Sequence, residues 1–357
     1  MPSFRGGGAE RVMVELARGL VGLGISVDLV VAQREGPNLM QRPPAATIVD
    51  LGAKRVLLAL PALVRYLRDV APDAMLSALP HTNVIAVAAR RLARSRTRLV
   101  VAEHTTASLS AMHSGSARGR ALPVFMKFAY PRADAVVAVS AGVADDLARL
   151  IRLDRRRITV IHNPVTVPRL FELAVEPVDH PWFGGQQIPV ILGVGRLTAA
   201  KDFVTLIRAF ELVRKVRPVR LMILGEGAER PRLEALIRDL QLEADVALPG
   251  FVENPYKYMQ KASVFVLSSR WEGFGNVLVE AMACGAPVIS TDCPNGPREI
   301  LENGKHGRLV PVGDMAALSQ AIVDQLDHPP PRRGSTERAM DFSLDAAIDR
   351  YRSILSV

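Results

Sequence analysis

Two carboxylates, Glu272 and Glu280, stand eight residues apart on either side of a glycine-rich turn. Residues 265–267 form a short apolar run and another begins at 287, which predicts a strand, a loop, a helix and a second strand. Ligands of such sheets bind outside the carboxyl ends of the strands. We therefore expect Glu272 in the loop and Glu280 about one turn inside the helix, roughly 6 Å further along its axis.

The turn itself predicts an anion site. Gly275 and Asn276 lie at the expected helix start, where backbone N–H groups and the helix dipole favour negative charge. A carboxylate at each end of an anion site suits a ligand with hydroxyl groups on both sides of its phosphates, as a nucleotide sugar has. Taken alone, the spacing favours a simpler interpretation, in which Glu272 caps a loop and Glu280 is a solvated helix residue.

Two cations follow another apolar strand. Arg196 and Lys201 are five residues apart in the loop that begins at Gly195. Cations on one such loop bind a diphosphate and stabilise the charge that grows on it when a glycosidic bond breaks. An isolated pair of this kind is more often found on an ordinary surface loop.

The acidic segment resembles the donor-site signature of the retaining glycosyltransferases of family 4, the group 1 class. The residues that carry the match are Glu272, Gly273, Phe274, Gly275, Glu280, Ala281, Gly285 and Pro287. The resemblance implies an α/β fold of the GT-B type, with two Rossmann-like, doubly wound parallel-sheet domains that face each other across a cleft. The segment from Cys293 to Ile300 resembles the members that build bacterial surface glycans.

The resemblance also implies roles for individual residues. The catalytic residues that it implies are Arg196, Lys201, Glu272 and His104. The donor-binding residues that it implies are Gly7, Gly8, Gly195, Gly225, Gly227, Phe251, Val252, Gly273, Phe274, Gly275, Asn276, Val277 and Glu280. Arg196 and Lys201 would hold the diphosphate, Glu280 the ribose, and Glu272 the hydroxyls of the transferred sugar. A lone histidine such as His104 is often structural, and that alternative stays open.

Short apolar strands alternate with helical patterns in both halves of the chain, which predicts parallel sheets built from βαβ units. We predict an acceptor domain over 1–164, a linker over 165–188, a donor domain over 189–340, and a C-terminal helix over 341–357 that packs back on the first domain. The glycine-rich loop from Gly6 to Arg11 resembles the one that follows strand one in the family. Because five residues precede it, we expect the first strand to be missing or truncated.

The composition predicts a soluble globular protein, and no metal-binding motif is visible in the sequence. The 357 residues include two cysteines, no CxxC pair and no Cys/His cluster, which argues against disulfides and structural zinc and favours a reducing cytoplasm. The Asp-x-Asp motif of metal-dependent transferases is absent, so we expect no cofactor and a role for Arg196 and Lys201 in place of the cation. We expect neither a signal peptide nor a membrane span.

Positive charge is concentrated in the first half. Residues 1–164 contain 23 Lys and Arg against 12 Asp and Glu, whereas residues 165–357 contain 22 against 24. Two arginine clusters, at 90–98 and 149–157, are either solvated helix ends or a surface for anionic lipid. Such a patch also attracts nucleic acid, but no aromatic interleaving supports that partner. We therefore expect a cytoplasmic protein, peripheral on the inner face of the membrane.

The sequence thus predicts a retaining glycosyltransferase that moves a hexose or N-acetylhexosamine from a nucleotide-diphosphate sugar, with UDP favoured and GDP as the alternative. The acceptor would be a glycan or a polyprenyl-diphosphate-linked saccharide. Two rivals remain at this stage: a nucleotide-sugar epimerase of the same fold, and an inactive paralogue that only binds nucleotide sugars.

Overall fold

The computed structural model describes residues 1–4, 7–36, 39–40, 42–184 and 188–357. Gly6 of the glycine-rich loop and residues 185–187 of the predicted linker lie outside this part of the chain. The described residues form two compact units, one of Met1–Pro164 with Leu344–Val357 and one of Val165–Ser343.

Twelve strands are present in the described chain. They are β1 Asp28–Val31, β2 Thr47–Asp50, β3 Ala74–Ala78, β4 Arg98–Glu103, β5 Ala135–Ala138, β6 Ile158–Val160, β7 Val190–Val194, β8 Arg220–Leu224, β9 Val246–Gly250, β10 Val264–Leu267, β11 Val288–Thr291 and β12 Arg308–Val310. All pair in parallel. Several are continuous apolar runs, such as the fully buried Leu99, Val100 and Val101, as expected of strands covered on both faces.

Helices connect the strands. They are α1 Gly8–Gly22, α2 Leu60–Asp69, α3 Pro80–Ala93, α4 Ala107–Met112, α5 Ala117–Ala129, α6 Ala141–Ile151, α7 Pro168–Ala174, α8 Phe203–Val216, α9 Arg230–Asp239, α10 Tyr256–Lys261, α11 Asn276–Ala283, α12 Pro297–Ile300, α13 Met315–Asp327, α14 Arg332–Met340 and α15 Leu344–Leu355. The predicted α/β class, with parallel sheets in two Rossmann-like domains, is confirmed.

The first unit contains a four-stranded sheet of order β3-β4-β5-β6 and a two-stranded sheet of β1 and β2. The N-terminal residues run beside β1: the Met1 amino group donates to Val30 O at 2.8 Å, and Ala32 N donates to Met1 O at 3.2 Å. Phe4 is fully buried and packs in one cluster with Val14 and Leu29. The few residues that precede the glycine-rich loop are therefore part of the folded unit.

Helix α15 completes the core of the first unit. Ile348 and Tyr351 pack in one buried cluster with Val12 and Leu16 of α1. A Cβ atom at Gly19 would lie 2.6 Å from Ile348 Cδ1, so α1 and α15 approach each other closely at this glycine. The Arg98 guanidinium donates to Ile354 O at 2.7 Å and ties the helix to β4.

The second unit contains one sheet of order β12-β11-β10-β7-β8-β9. Its first strand, β7, is central, and the direction in which strands are added reverses between β7 and β10. This reversal is the topological switch point at which ligands of open α/β sheets bind, outside the carboxyl ends of the strands. The loops that follow β7 and β10 are therefore the two that border the expected ligand position.

The segment predicted as a linker packs on the second unit. It includes α7, and Thr166 Oγ1 donates to Ala339 O at 2.7 Å. Asn254 Nδ2 donates to Leu173 O at 2.8 Å. These contacts fix residues 166–173 to elements that come much later in the chain.

Candidate active site

Lys201 and Glu272 meet at the switch point. Lys201 Nζ donates to Glu272 Oε1 at 2.5 Å, and Ser269 Oγ donates to the same oxygen at 2.6 Å. The two ionised side chains are 18% and 12% exposed. A partly buried ion pair keeps more of its attraction than an exposed one, because water screens it less. The structure thus brings a cation of the loop after β7 against a carboxylate of the loop after β10.

The loop after β7 is shaped to carry Lys201. A Cβ atom at Gly195 would lie 3.2 Å from Lys201 Cε, so the lysine stem runs closely over the Gly195 backbone. Leu197 N donates to Glu226 O at 2.8 Å, and Ser268 Oγ donates to Lys201 O at 2.8 Å. The lysine is therefore held from both neighbouring loops.

Arg196 is the second cation of this loop. Its side chain is exposed, and it makes no ion pair or hydrogen bond with any residue in the described ranges. A guanidinium that bonds none of these residues retains all five N–H donors for a ligand, and its planar shape matches the oxygens of a phosphate.

Sequence reasoning missed the residues that join the two loops. Arg270 Nε donates to Asp202 Oδ2 at 3.0 Å, and Arg270 N donates to Ala200 O at 2.7 Å. Asp202 is buried and also accepts from Thr205 Oγ1 at 2.9 Å. The available signal was the run Ser268-Ser269-Arg270 directly after an apolar strand.

The turn before α11 has the geometry that the sequence predicts for a helix start. Gly275 has a φ of 103°, in the left-handed region, and Asn276 begins the helix. The N-cap residue is Gly275 itself, which has no side chain to cap α11. Gly273, Asn276 and Val277 are partly exposed, and the positive end of the helix dipole lies at this turn.

Glu280 lies one turn inside α11 and is buried, with 5% of the residue exposed. It comes four positions after Asn276, roughly 6 Å further along the helix axis. It is therefore not the solvated helix residue of the simpler interpretation.

Phe274 anchors the turn in the core. Its ring is buried and packs edge-to-face on Phe342, with 5.3 Å between ring centroids. A Cβ atom at Gly296 would come within 1.8 Å of Phe274 O, so the loop after β11 closes directly on this residue. Any donor contact of Phe274 would therefore come from its backbone.

The glycines after β8 serve loop packing. A Cβ atom at Gly225 would lie 1.9 Å from Gly195 O, and one at Gly227 would lie 2.3 Å from Leu197 O. Both glycines allow the loop after β8 to press against the loop that carries Arg196 and Lys201. Beyond β9, Phe251 is mostly exposed and Val252 is partly exposed.

The remaining predicted residues belong to the first unit. His104 follows β4, and burial lowers the pKa of its imidazole to about 4, so the ring is neutral at pH 7. Gly7 precedes α1 and Gly8 begins it. A Cβ atom at Gly7 would lie 2.1 Å from Glu10 Oε2, which shows how closely the glutamate side chain folds over this backbone.

Glu103, next to His104, is a buried acid that sequence reasoning did not assign. It is fully buried at the end of β4, where Tyr130 Oη donates to Oε2 at 3.0 Å and Thr105 Oγ1 donates to Oε1 at 2.8 Å. Asn83 Nδ2 in turn donates to Tyr130 Oη at 3.0 Å. Burial raises the pKa of Glu103 to about 7, although these hydrogen bonds oppose the rise.

Among the described residues, a metal-binding group and a helix that could cross a membrane are both absent. No three His, Cys, Asp or Glu side chains there lie together as a metal-binding group. No helix in the same part of the chain has the length and apolar character needed to cross a membrane.

The fold defines an α/β protein with parallel sheets in two Rossmann-like units, and comparison with known proteins identifies the family. Residues 6–169 match the family described as Glycosyltransferase Family 4, and residues 184–341 match Glycosyl transferases group 1. One relative is the N-acetylgalactosamine-N,N'-diacetylbacillosaminyl-diphospho-undecaprenol 4-alpha-N-acetylgalactosaminyltransferase of Campylobacter jejuni. The two sequences are 31% identical over 348 aligned residues, which cover 94% of this chain and 92% of the relative. The chain belongs to the group 1, family 4 glycosyltransferases and is a hexosyltransferase.

Other similar proteins agree with this assignment. The lipopolysaccharide core biosynthesis glycosyltransferase LpsE of Rhizobium meliloti is 31% identical over 228 residues, 62% of this chain and 64% of the relative. Sucrose-phosphate synthase from Thermosynechococcus elongatus superposes with a TM-score of 0.80 at 21% identity, covering 100% of this chain and 96% of that one. Anabaena HepE, solved with UDP and glucose, gives 0.79 at 20% identity, with 99% and 98% covered. These structures establish the GT-B fold.

Proposed function

We propose that this glycosyltransferase moves a hexose or N-acetylhexosamine, with retention of configuration, from a nucleotide-diphosphate sugar to a lipid-linked saccharide. The observation that carries the proposal is the contact of Lys201 with Glu272 at the switch point, beside the start of α11. UDP is the favoured nucleotide, since UDP is bound in the HepE structure of the same fold. GDP is the alternative.

The donor would lie across the two loops. Its diphosphate would bind Arg196, Lys201 and the first N–H groups of α11, and its ribose would bind Glu280. Glu272 would accept hydrogen bonds from hydroxyls of the transferred sugar. In this arrangement the phosphate competes with Glu272 for the Lys201 ammonium, so the ion pair holds the lysine in position before the donor arrives.

The chemistry proposed is same-face substitution. The bond from the anomeric carbon to the diphosphate oxygen breaks, and the acceptor hydroxyl oxygen forms its new bond on the same face of the sugar. The acceptor proton passes to the departing phosphate oxygen. Arg196 and Lys201 would stabilise the negative charge that develops on that oxygen, and for this reason we propose that the reaction needs no metal ion.

The acceptor proposal rests on the relatives. The Campylobacter enzyme is named for a saccharide on diphospho-undecaprenol, LpsE for lipopolysaccharide core synthesis, and AmsD of Erwinia amylovora for amylovoran synthesis. We propose that this chain also extends a polyprenyl-diphosphate-linked saccharide in surface polysaccharide or glycoconjugate synthesis. Such an acceptor would place the enzyme on the inner face of the cytoplasmic membrane.

A donor and acceptor screen tests the proposal. The purified protein is incubated with UDP-, GDP- and ADP-sugars and a synthetic polyprenyl-diphosphate N-acetylhexosamine, and products are read by mass spectrometry with and without excess EDTA. We expect one added sugar, in the EDTA arm as well, with the anomeric configuration of the donor by NMR. Inversion would contradict retention, and activity that is lost in EDTA and restored by magnesium would contradict metal independence.

Two control arms separate the rivals. Donor incubated without acceptor should remain unchanged, whereas conversion to an epimer would support the epimerase. Nucleotide binding by calorimetry with no transfer to any acceptor would support the inactive paralogue.

A further inference from the structure

The loops after β7 and β10 share contacts that do not involve the Lys201 ammonium. Arg270 N donates to Ala200 O at 2.7 Å, and Ser268 Oγ donates to Lys201 O at 2.8 Å. Arg270 Nε also donates to Asp202 Oδ2 at 3.0 Å. These bonds attach the carbonyl of Lys201 and the residues on both sides of it to the loop after β10. They can persist when a donor diphosphate binds the ammonium.

Asp202, directly after Lys201, has a backbone conformation that suits glycine better than aspartate. Its φ is 46°, in the left-handed region, which a residue with a Cβ atom adopts at a cost. Its carboxylate accepts from Thr205 Oγ1 at 2.9 Å as well as from the Arg270 guanidinium. Glycine would meet the same conformation with less strain, so an aspartate at this position is best explained by the bonds of its carboxylate.

The ion pair of Arg270 with Asp202 is buried on its acidic side. The Asp202 side chain is 3% exposed, whereas the Arg270 side chain is 55% exposed. Removing the cation from a buried carboxylate is strongly unfavourable, so this pair opens less readily than an ordinary surface ion pair. It can therefore hold the backbone at Asp202 while the side chain of Lys201 changes partners.

We infer that Arg270 is a positioning residue for the transfer reaction: through Asp202 it keeps Lys201 directed at the leaving phosphate once the donor has taken the ammonium from Glu272. The inference rests on the donor position proposed above, in which the diphosphate binds Lys201. Arg270 acts through its bond to Asp202 and does not contact the donor in this arrangement.

Kinetics of matched variants test the inference. The two pair variants are Arg270→Gln and Asp202→Asn, which break the side-chain bond and leave the backbone bond of residue 270 in place. The control is Arg214→Gln, in the last turn of α8, which breaks an ion pair with Asp245 of 2.7 Å in the same unit. We expect both pair variants to lower kcat by on the order of 10-fold, because a displaced ammonium stabilises the leaving phosphate poorly, and the control to keep the wild-type kcat.

The affinity for free UDP should be nearly unchanged in both pair variants, because Arg196 and the first N–H groups of α11 still bind the phosphates. Calorimetry measures this affinity. If Arg270→Gln weakens UDP binding and Asp202→Asn does not, Arg270 binds the donor itself and the inference is wrong.

Two further variants show whether the bond between the side chains is what matters. Arg270→Lys keeps a cation beside Asp202 and should recover part of the lost kcat. The double variant Arg270→Gln with Asp202→Asn should lose no more kcat than either single variant, because both substitutions break the same bond. Losses of kcat that multiply in the double variant would contradict the inference. Circular dichroism at the assay temperature shows whether each variant is folded, and if Arg270→Gln is not, Arg270→Lys and Asp202→Asn still carry the test.

Chemical labelling of lysines tests the positioning without any transfer reaction. The Lys201 side chain is 18% exposed, so an amine-acylating reagent should modify it slowly in the wild type, as measured by peptide mass spectrometry relative to the exposed Lys261. Labelling of Lys201 should rise severalfold in both pair variants and stay at the wild-type level in the control. Unchanged labelling in both pair variants would overturn the inference. If labelling rises but the wild type transfers no sugar in the screen described above, Arg270 does position Lys201 and the proposed function is wrong.

Discussion

At the scale of single residues, the two carboxylates Glu272 and Glu280 of the second unit differ in their surroundings. Glu272 is paired with Lys201 and Ser269 in a loop, whereas Glu280 is buried in a helix. A contact with the ribose is made about equally in the ground state and the transition state, but a contact with the transferred sugar changes as its ring and charge change. A contact that is equally strong in the ground state and the transition state lowers only KM, whereas a contact that is stronger in the transition state raises kcat.

We therefore predict that Glu280→Ala weakens binding of free UDP or GDP by ~1.5–3 kcal/mol, the value of a charged hydrogen bond. Glu272→Ala should leave nucleotide affinity nearly unchanged and lower kcat. Calorimetry with free nucleotide and steady-state kinetics measure the two effects, and Glu280→Gln, which keeps the volume, controls for a cavity in α11. Wild-type nucleotide affinity in Glu280→Ala would show that the ribose does not bind there.

The buried Glu103 predicts a pH dependence of stability. Its folded pKa of about 7 exceeds the ~4.3 of a glutamate in an unfolded chain, so the folded state binds more protons between these values. Its contribution to stability is complete below the unfolded pKa and is lost as the pH rises through the folded pKa. Glu103→Gln, which has no charge to bury, should be more stable than wild type at pH 8 by on the order of 2 kcal/mol.

The advantage of Glu103→Gln should shrink steadily as the pH falls from about 8 to about 4, the range set by the two pKa values. Urea unfolding at several pH values measures it. The control is Asp69→Asn, on an exposed carboxylate of the same unit, whose difference from wild type should stay small throughout. A pH-independent difference for Glu103→Gln would contradict the burial of this titrating group.

At the scale of loops and helices, the site depends on close approach between neighbouring loops. A Cβ atom at Gly225 would collide with Gly195 O, and Gly225 also has a φ of 140°. Gly225→Ala should therefore lower the free energy of unfolding by about 1–3 kcal/mol through the steric collision. The strained backbone conformation lowers it further. Because the collision displaces the loop that carries Lys201, nucleotide affinity should fall as well.

Gly313→Ala is the matched control for this prediction. Gly313 has a φ of 75° in the same unit, but nothing lies within 4 Å of the position that its Cβ would take. Gly313→Ala should lower the free energy of unfolding only through backbone strain, and it should leave nucleotide affinity unchanged. Equal losses of stability and affinity in the two variants would mean that the contact between the loops is unimportant.

Much of the strand and helix arrangement is predictable from the sequence, because each element has an apolar pattern within its own short segment. Strands buried on both faces are continuous apolar runs, so the predicted run over 265–267 lies within the strand Val264–Leu267. The edge strand Arg308–Val310 was missed because it is three residues long and begins with a charge. The apolar stretch from 57 to 70 predicts one helix, but α2 begins at Leu60, because Pro61 fits only its first turn.

The residues that support the site were not predictable from the sequence, because their hydrogen bonds join separate loops. Arg270 and Asp202 are far apart in the sequence, and no periodicity links a side chain in one loop with its partner in another. The glycines after β8 were visible as a motif, but the reason for them, contact with Gly195 O and Leu197 O, exists only in the folded sheet. The roles of the predicted donor residues stay predictions.

At the scale of the whole molecule, the chain returns to its first unit in its last helix. Tyr351 is fully buried against α1 in the first unit. Tyr351→Ala should destabilise that unit by about 3–5 kcal/mol, the usual cost of deleting a buried aromatic ring. Differential scanning calorimetry, with the exposed Arg352→Ala as control, should show a lower transition for one unit only. A shift of both transitions together would contradict independent units.

The position of α15 also sets an order of events during synthesis. Domains normally fold from the N-terminus as the chain leaves the ribosome, but here the first unit lacks a core helix until residues 344–355 have been synthesised. The second unit, complete at Ser343, should become protease-resistant first. Chains arrested shortly before residue 344 and released by puromycin should yield a resistant fragment from residues 165–343 and a degraded N-terminal half. A resistant N-terminal half in those chains would show that α15 is dispensable for the unit it completes.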